Sequence, residues 1–362
     1  MTLDRTAIRQ DFLVEAGLDG ARLEPLAGDA STRRYDRLHL PNGSTRILMD
    51  QPPSVETLPC PPLASPEERI RLGYNASARL AAGRIEAFVA IADWLSAEGF
   101  SAPRIDHADA GKGLAVIEDL GDDLIARCTE RGEPALPMYE AAVDAQVALH
   151  RITPPGILSA PTGDWPLLAY DDLALKTGAG LFLEWWPNFS GMSAFSEDAR
   201  DSWESLWHPI REGAVARSGV FTHRDYHAEN LVWMPGRIGI QRIGLLDFQD
   251  ALVGHPAWDL LHLLQDARRD VDPALEQAML ERYLSARPEL DQDLFLSDYR
   301  GLAALNAARI LFIFARQVAG FGRPRYTAFM PRTWRYLERN LSDPSLKPVR
   351  DWFEHYVPDH GA

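Results

Sequence analysis

Cysteine is nearly absent. Cys60 and Cys128 are the only two in 362 residues, with no C-x-x-C pair and no zinc-like spacing, so neither a disulfide framework nor a zinc cluster organises the chain. Such cysteine poverty points to a reduced compartment. Long apolar runs are missing too: Ile310-Leu-Phe-Ile-Phe-Ala315 is far too short to span a bilayer. The opening residues carry neither the apolar core nor the cleavage site of a secretory signal. A cytoplasmic protein with no membrane association is the expectation. There is no excess of positive charge either. The net charge of −15 excludes a broad electrostatic grip on nucleic acid or anionic lipid and is read as ordinary surface solubility. No internal repeat, low-complexity tract, G-x-G-x-x-G or P-loop signature G-x-x-x-x-G-K-[ST] occurs.

What remains is an ordinary globular composition, long enough for two domains or one large bilobal one. After an amphipathic segment to about Ala16, short β-like runs at Leu23–Pro25, Tyr35–Leu40 and Thr45–Met49, with a turn at Pro41-Asn-Gly43, predict a small β-rich lobe. A proline-rich loop spans 51–65. Ser65-Pro-Glu-Glu68 then reads as a helix start, with a capping hydroxyl, proline in the first turn and acids at the positive end. Ile85, Phe88, Ile91, Ala92 and Leu95 recur at helical spacing up to a stop at Gly99. Gly113–Ile117 is strand-like and leads into Glu118-Asp-Leu-Gly121, the expected hinge where an adenine would meet backbone groups, with Glu118 and Leu120 as its candidates. Helical patterns dominate from about Leu136: Tyr139–His150, Arg200–Arg217, Trp258–Ala267, Ala274–Ala286 and Asp293–Val318. The fold class expected is α+β, a bilobal protein-kinase-like arrangement with an N-terminal nucleotide-binding lobe over 1–120 and a helical lobe over 121–362.

The chemistry is concentrated in His223-Arg-Asp-Tyr-His-Ala-Glu-Asn230 and, after a hairpin-like stretch, Leu245-Leu-Asp-Phe-Gln-Asp250. An Asp, an Asn five residues later and an Asp closing an apolar run form the set with which protein-kinase-like enzymes move a γ-phosphoryl group to a hydroxyl. Phosphoryl transfer has a loose transition state, so alignment and charge neutralisation supply most of the catalysis. Asp225 is the candidate base. Asn230 and Asp247 offer the hard oxygens that suit magnesium. Asp250 is either a water-mediated helper or a solvated turn residue. His223 is expected to hold the loop by hydrogen bonds and Asp259 to brace its backbone. His227 and Glu229 either face the acceptor or face solvent.

Gly28, Ala30 and Ser31 lie in a small, polar loop able to bring backbone N–H groups to phosphate oxygens, with Arg33 and Arg34 beside it. One departure stands out. On Thr45-Arg-Ile-Leu-Met-Asp50 the position at which such kinases carry a phosphate-gripping lysine is Met49. Either Arg33, Arg34 or Arg46 supplies that charge, or nucleotide is held more weakly than usual.

With these residues in view, the chain resembles the aminoglycoside phosphotransferase/choline kinase superfamily from Leu23 to about Asp270. Within it, Gly28–Tyr35, Ile47-Leu-Met-Asp50 with two following prolines, Ile117-Glu-Asp-Leu-Gly121, Leu181-Phe-Leu-Glu-Trp-Trp186, His223-Arg-Asp-Tyr226 and Leu246–Ala251 are most similar to bacterial cell-wall-recycling kinases acting on the anomeric hydroxyl of N-acetylmuramate and N-acetylglucosamine. The resemblance implies ATP and Mg2+, an amino-sugar acceptor, and an α-1-phosphate product handed to a sugar-1-phosphate nucleotidyltransferase. It also implies that Met49 is a trait of the group. Glu184 and Trp185 become candidates for the sugar, an aromatic face suiting a pyranose, although a Trp pair in an apolar helix also reads as core. A carboxylate-bearing acceptor calls for an arginine that the sequence does not single out. The competing readings are a kinase of an aminoglycoside, choline or homoserine, for which a cationic acceptor would want an acidic pocket, and a nucleotide-binding pseudokinase.

Overall fold

Period-two alternation along short strands sets the architecture of the first third of the chain. The computed structural model describes residues 4–26, 33–53, 58–81 and 83–358. In it β1 (Arg22–Pro25), β2 (Arg34–His39), β3 (Thr45–Asp50), β4 (Ile105–Asp109) and β5 (Leu114–Glu118) form one antiparallel sheet in the order β1-β2-β3-β5-β4. α1 (Arg5–Glu15), whose first turn is capped by the Asp4 carboxylate, covers one face. Its Phe12 and Leu13 pack with Leu38, Leu48, Leu114 and Val116 into a small core. The alternate residues Ile47, Met49, Ala115 and Ile117 point the other way and join the main core. Arg5 ties α1 to the sheet through Asp50 at 2.6 Å and the Lys112 carbonyl at 2.7 Å. β4 was not foreseen because it is a charged edge strand whose register shifts between Ile105 and His107, which erases the alternation.

The β4–β5 turn depends on one glycine. Gly113 has φ +66°, and a Cβ there would stand 2.1 Å from the Gln51 carbonyl oxygen. Backbone cannot retreat as a flexible side chain can, so Gly113→Ala is expected to cost on the order of 2–4 kcal/mol of stability. A thermal melt that matches the parent protein would show that the turn can repack.

Beyond the sheet, α2 (Pro66–Leu72) starts as its sequence predicts, with Ser65 Oγ capping the Glu68 N–H. A π-helical turn at Asn75–Arg79 follows, then α3 (Ile85–Ala97). The rest is helical: α4 (Ile125–Glu130), α5 (Ala135–Leu149), α6 (Asp172–Gly180), α7 (Phe182–Ser190), α8 (Glu197–Ala216), α9 (Ala257–Leu264), α10 (Pro273–Ala286), α11 (Gln292–Ala319), α12 (Met330–Leu341) and α13 (Lys347–Tyr356). Three short antiparallel pairs interrupt it: β6 (Ile157–Leu158) with β7 (Trp165–Pro166), β8 (Val220–Thr222) with β11 (Leu252–Gly254), and β9 (Leu231–Trp233) with β10 (Ile243–Leu245). The fold is α+β, a small sheet followed by a larger helical part. An aromatic cluster anchors its far end, where Phe182 stacks on Trp203 and Trp186 and meets Trp334 and Phe353 edge-on. α11 is long and apolar enough to cross a membrane by composition alone, yet its most apolar window is 61% buried against neighbouring helices.

Candidate active site

The loop 223–230 leaves β8, and the β9–β10 hairpin returns the chain to Asp247. Backbone N–H groups of His223 and Arg224 donate to the two Asp259 oxygens at 2.6 and 2.8 Å, so this buried carboxylate holds the start of the loop. Its pKa is pushed up to about 7, with burial outweighing the two donors. Tyr226 Oη donates to the Ala142 carbonyl at 2.9 Å and Asn230 Nδ2 to the Asp225 carbonyl at 2.9 Å. The Leu246 N–H donates to the Asn230 carbonyl at 3.0 Å, which sets Asn230 beside Asp247. His223 is fully buried against the rings of Tyr226 and Phe248, and burial lowers its pKa to about 4, so it is neutral; its Nδ1 accepts from the Asp225 N–H at 3.4 Å, a hydrogen bond within the loop of the kind expected of it. Phe248 stacks on Phe88 of α3 at 4.7 Å, linking this segment to the chain ahead of the hinge.

Backbone strain gathers at the same place. Among the described residues, the non-glycine positions with positive φ are Leu80 (62°), Arg224 (79°) and Asp247 (60°). Each costs free energy that surrounding contacts must offset. The contacts are visible: the Arg224 guanidinium donates to the carbonyls of Ala78, at 2.9 Å, and Arg79, and lies over the Tyr170 ring. Arg79 in turn pairs with Asp250. Asp250 is therefore a buried partner of an arginine, not a solvated turn residue, and its second oxygen, Oδ1, accepts no hydrogen bond from the described residues.

Asp225 itself is half-buried. Burial works to raise its pKa, but His262, Arg309, His227 and Arg224 together hold the carboxyl well below the usual range. Burial lowers the His262 pKa to about 3, so its ring is uncharged at neutral pH and the arginines carry the effect. Sequence reasoning missed His262, Arg309 and Arg79, because each lies on an element remote in sequence and belongs to no local motif.

The opposite wall is set by Arg33. It is buried, and its Nη1 donates to Asp247 at 2.8 Å, Gln249 at 2.7 Å and the Tyr35 hydroxyl at 3.1 Å. Arg34 is exposed, and Arg46 pairs with Asp106 on the sheet's outer side. Met49 is completely buried between Tyr35 and Ala115 of the neighbouring strands. The chain has three lysines, Lys112, Lys176 and Lys347, engaged with Glu15, Glu204 and Asp351 respectively. Of the three arginines that could replace the missing lysine, geometry brings Arg33 to Asp247. Gly28, Ala30 and Ser31 lie outside the described residues.

The oxygens present suit a hard divalent cation. The Asp247 carboxylate is 39% exposed, and the Asn230 amide nitrogen is committed to the loop backbone, leaving its oxygen as the ligand atom. Among the described residues no three His, Cys, Asp or Glu side chains cluster, so a cation here would draw its other ligands from phosphate and water.

At the expected hinge, Arg37 of β2 clasps Asp119 (2.7 Å) and Asp122 (2.9 Å). The Glu118 carboxylate is held by Arg104 and Arg237. Leu120 is buried against the hairpin, where a Cβ on Gly244 would approach Leu120 and Val232 to 3.0 Å. The His227 ring is buried with Nε2 3.4 Å from Arg268 and from Asn230 Nδ2, while Glu229 pairs with Arg268 and Arg269. Glu184 is exposed on α7; Trp185 packs on Arg316, and Trp186 is core.

Comparison with known proteins follows the same outline. The profile described as "Phosphotransferase enzyme family" matches residues 22–293. A protein of Caulobacter vibrioides named N-acetylmuramate/N-acetylglucosamine kinase is 55% identical over 360 residues, 99% of each chain. One of the same name from Pseudomonas aeruginosa is 29% identical, covering 88% of this chain and 83% of its own. Among solved structures, a choline/ethanolamine kinase family protein from Mesorhizobium loti superposes with a TM-score of 0.56 over 97% of this chain and 98% of its own, at 14% identity, and so shares the fold.

Proposed function

This chain belongs to the phosphotransferase enzyme family, and we propose that it transfers the γ-phosphoryl group of ATP to the anomeric hydroxyl of N-acetylmuramate and N-acetylglucosamine. The observation that carries the chemistry is an ionised, half-exposed Asp225 on a strained, fully braced loop beside Asn230 and Asp247. The acceptor is taken from full-length similarity to the Caulobacter kinase. The arginines around Asp225 support it, since a cationic aminoglycoside or choline would be repelled there and an anionic or neutral sugar would not.

In this reading Asp225 accepts a hydrogen bond from the acceptor hydroxyl and aims its lone pair at phosphorus. As the bond to the leaving ADP oxygen breaks, the hydroxyl proton passes to the Asp225 carboxylate. A carboxyl held so acidic is a weak base, so its contribution is mainly alignment, with proton transfer late. Arg33 faces the phosphates. Asn230 Oδ1 and the Asp247 carboxylate would hold Mg2+, which would neutralise charge on the phosphates. The boundary at residue 120, with Glu118 and Leu120 at the adenine, belongs to the proposal and is supported by the Arg37 clasp. So do a cytoplasmic site of action and delivery of the α-1-phosphate to a nucleotidyltransferase.

The test is ADP release with ATP and magnesium, with N-acetylmuramate, N-acetylglucosamine and kanamycin as parallel acceptors and phosphorus NMR of the product. An alkali-stable, acid-labile anomeric phosphate from both amino sugars is expected. Turnover with kanamycin alone would overturn the acceptor, and silence with all three would overturn the reading.

A further inference from the structure

The Asn230 amide is held at both of its hydrogens. Backbone bonds from the His227 N–H to the Asp225 carbonyl at 3.0 Å and from the Asn230 N–H to the His227 carbonyl at 2.8 Å curl the loop so that the His227 ring meets the Asn230 amide. Asn230 Nδ2 lies 2.9 Å from the Asp225 carbonyl oxygen, where only a donor is stable, and 3.4 Å from His227 Nε2. Arg268 Nη1 stands 3.4 Å from the same ring nitrogen. The guanidinium is itself fixed, with its Nε 3.3 Å from Glu229 and the Arg268 backbone N–H donating to the Asp266 carboxylate at 2.9 Å. A guanidinium has donors and no acceptor. Two donors converging on Nε2 therefore require a bare nitrogen there. Its single lone pair is shared between them, in keeping with two equal and rather long contacts. The ring proton then sits on Nδ1, which is buried and meets no partner among the described residues. The opposite tautomer would set Nε2–H against two donors and give Nδ1 nothing to accept.

We propose that His227 is a positioning residue for the divalent cation: its bare Nε2 holds the second amide hydrogen of Asn230, which keeps Oδ1 for the metal, and Arg268 selects the tautomer able to do so. The inference rests on the assignment of Asn230 to magnesium made above. A half-turn of the Asn230 amide would put Oδ1 against the Asp225 carbonyl and the bare Nε2, exchanging two hydrogen bonds for two acceptor–acceptor contacts. Without the ring, the Asp225 carbonyl alone opposes that turn. Partners that orient a metal ligand in this way typically govern about 10- to 100-fold in metal affinity.

The experiment measures ADP binding by calorimetry with and without magnesium, and the ratio of the two dissociation constants gives the metal's contribution. Wild type, His227→Leu, His227→Gln, Asn230→Ala and the double variant of His227→Leu with Asn230→Ala are compared, each first shown to be folded by thermal melting. His227→Leu has no acceptor and is expected to lose about 10-fold of the ratio, while ADP alone binds as in wild type. His227→Gln, whose amide oxygen accepts, should recover most of it. Asn230→Ala should lose at least as much, and adding His227→Leu to it should take nothing more. An unchanged ratio in His227→Leu overturns the proposal, as does an equal loss in His227→Gln or a further fall in the double variant. The tautomer is read separately, in metal-free wild type carrying nitrogen-labelled histidine, with the His227 signal identified by its absence from His227→Gln. A proton on Nδ1 is expected, and a proton on Nε2 overturns the proposal whatever the variants do. An Asn230→Ala ratio equal to wild type would remove magnesium from Asn230, and this inference with it; a loss in Asn230→Ala without one in His227→Leu would remove this inference alone.

Discussion

Asp225→Asn binds ATP as the parent does and barely turns over: kcat falls by about 10²- to 10⁴-fold, with the ATP dissociation constant within roughly twofold. The substitution keeps the shape of the side chain and removes the charge that orients and finally accepts the acceptor proton. Nucleotide should not notice, because the groups proposed to meet phosphate and metal are Arg33, Asn230 and Asp247, and their contacts do not use the Asp225 carboxylate. The loop should also survive, since it is held by Asp259, by Tyr226 on Ala142 and by the Asp225 backbone carbonyl, none of which uses the Asp225 carboxylate. The pH profile gives a second check. Asp225 is held below the ordinary carboxylate range, so it stays ionised and adds no inflection to kcat between about pH 5 and 9. An acid limb near neutrality would belong to Asp259, which burial pushes up to about 7. Near-normal kcat in Asp225→Asn would mean that another group orients the acceptor.

How far the sequence could be read follows from where each signal resides. The sheet was legible where short runs bearing Tyr35, Leu38, Ile47 and Leu48 flank the Pro41-Asn-Gly43 turn, as in β2 and β3, and illegible in β4, whose charges and bulge destroy the period. Ser65-Pro66-Glu67 announced α2 because capping is a local affair. α12 and α13 were not read although their apolar stripes stand at helical spacing, Met330, Trp334, Leu337 and Leu341 in the one and Val349, Trp352 and Phe353 in the other. In the site, Asp225, Asn230 and Asp247 were legible as a spaced motif. Arg309 was not, since it lies on a helix about eighty residues further on and belongs to no local motif. One compositional signal was available and unused: only three of the 37 basic residues are lysines, which favours an arginine wherever a cation is called for, the phosphates included.

That cation is the subject of the second large effect. Arg33→Ala is expected to raise the KM for ATP by about 10- to 100-fold, with a smaller loss in kcat, while Arg34→Ala and Arg46→Ala stay close to the parent. Burial alone would favour the neutral form of Arg33, but Tyr35, Asp247 and Asp250 keep it firmly charged. Its Nη1 rests on Asp247, the carboxylate proposed to receive magnesium, so without nucleotide the arginine supplies the positive charge that the metal would supply with it. Asp247 would hold the magnesium that accompanies ATP, and Arg33 would then face phosphate oxygens. Because Asp247 is partly exposed, deleting Arg33 leaves no buried uncompensated charge, but it strips the buried Gln249 oxygen of its donor, so stability should fall by about 1–3 kcal/mol. The ATP defect should therefore be read at a temperature well below the melting point of the variant, where the fold is intact. Arg33→Lys keeps the charge and loses the fork that reaches Asp247, Gln249 and Tyr35 together, so it should recover only part of the affinity. If Arg33→Ala kept the parent KM while Arg34→Ala lost it, the phosphate grip would belong to the exposed neighbour. If neither moved, this kinase would hold its nucleotide without a side-chain cation from that strand.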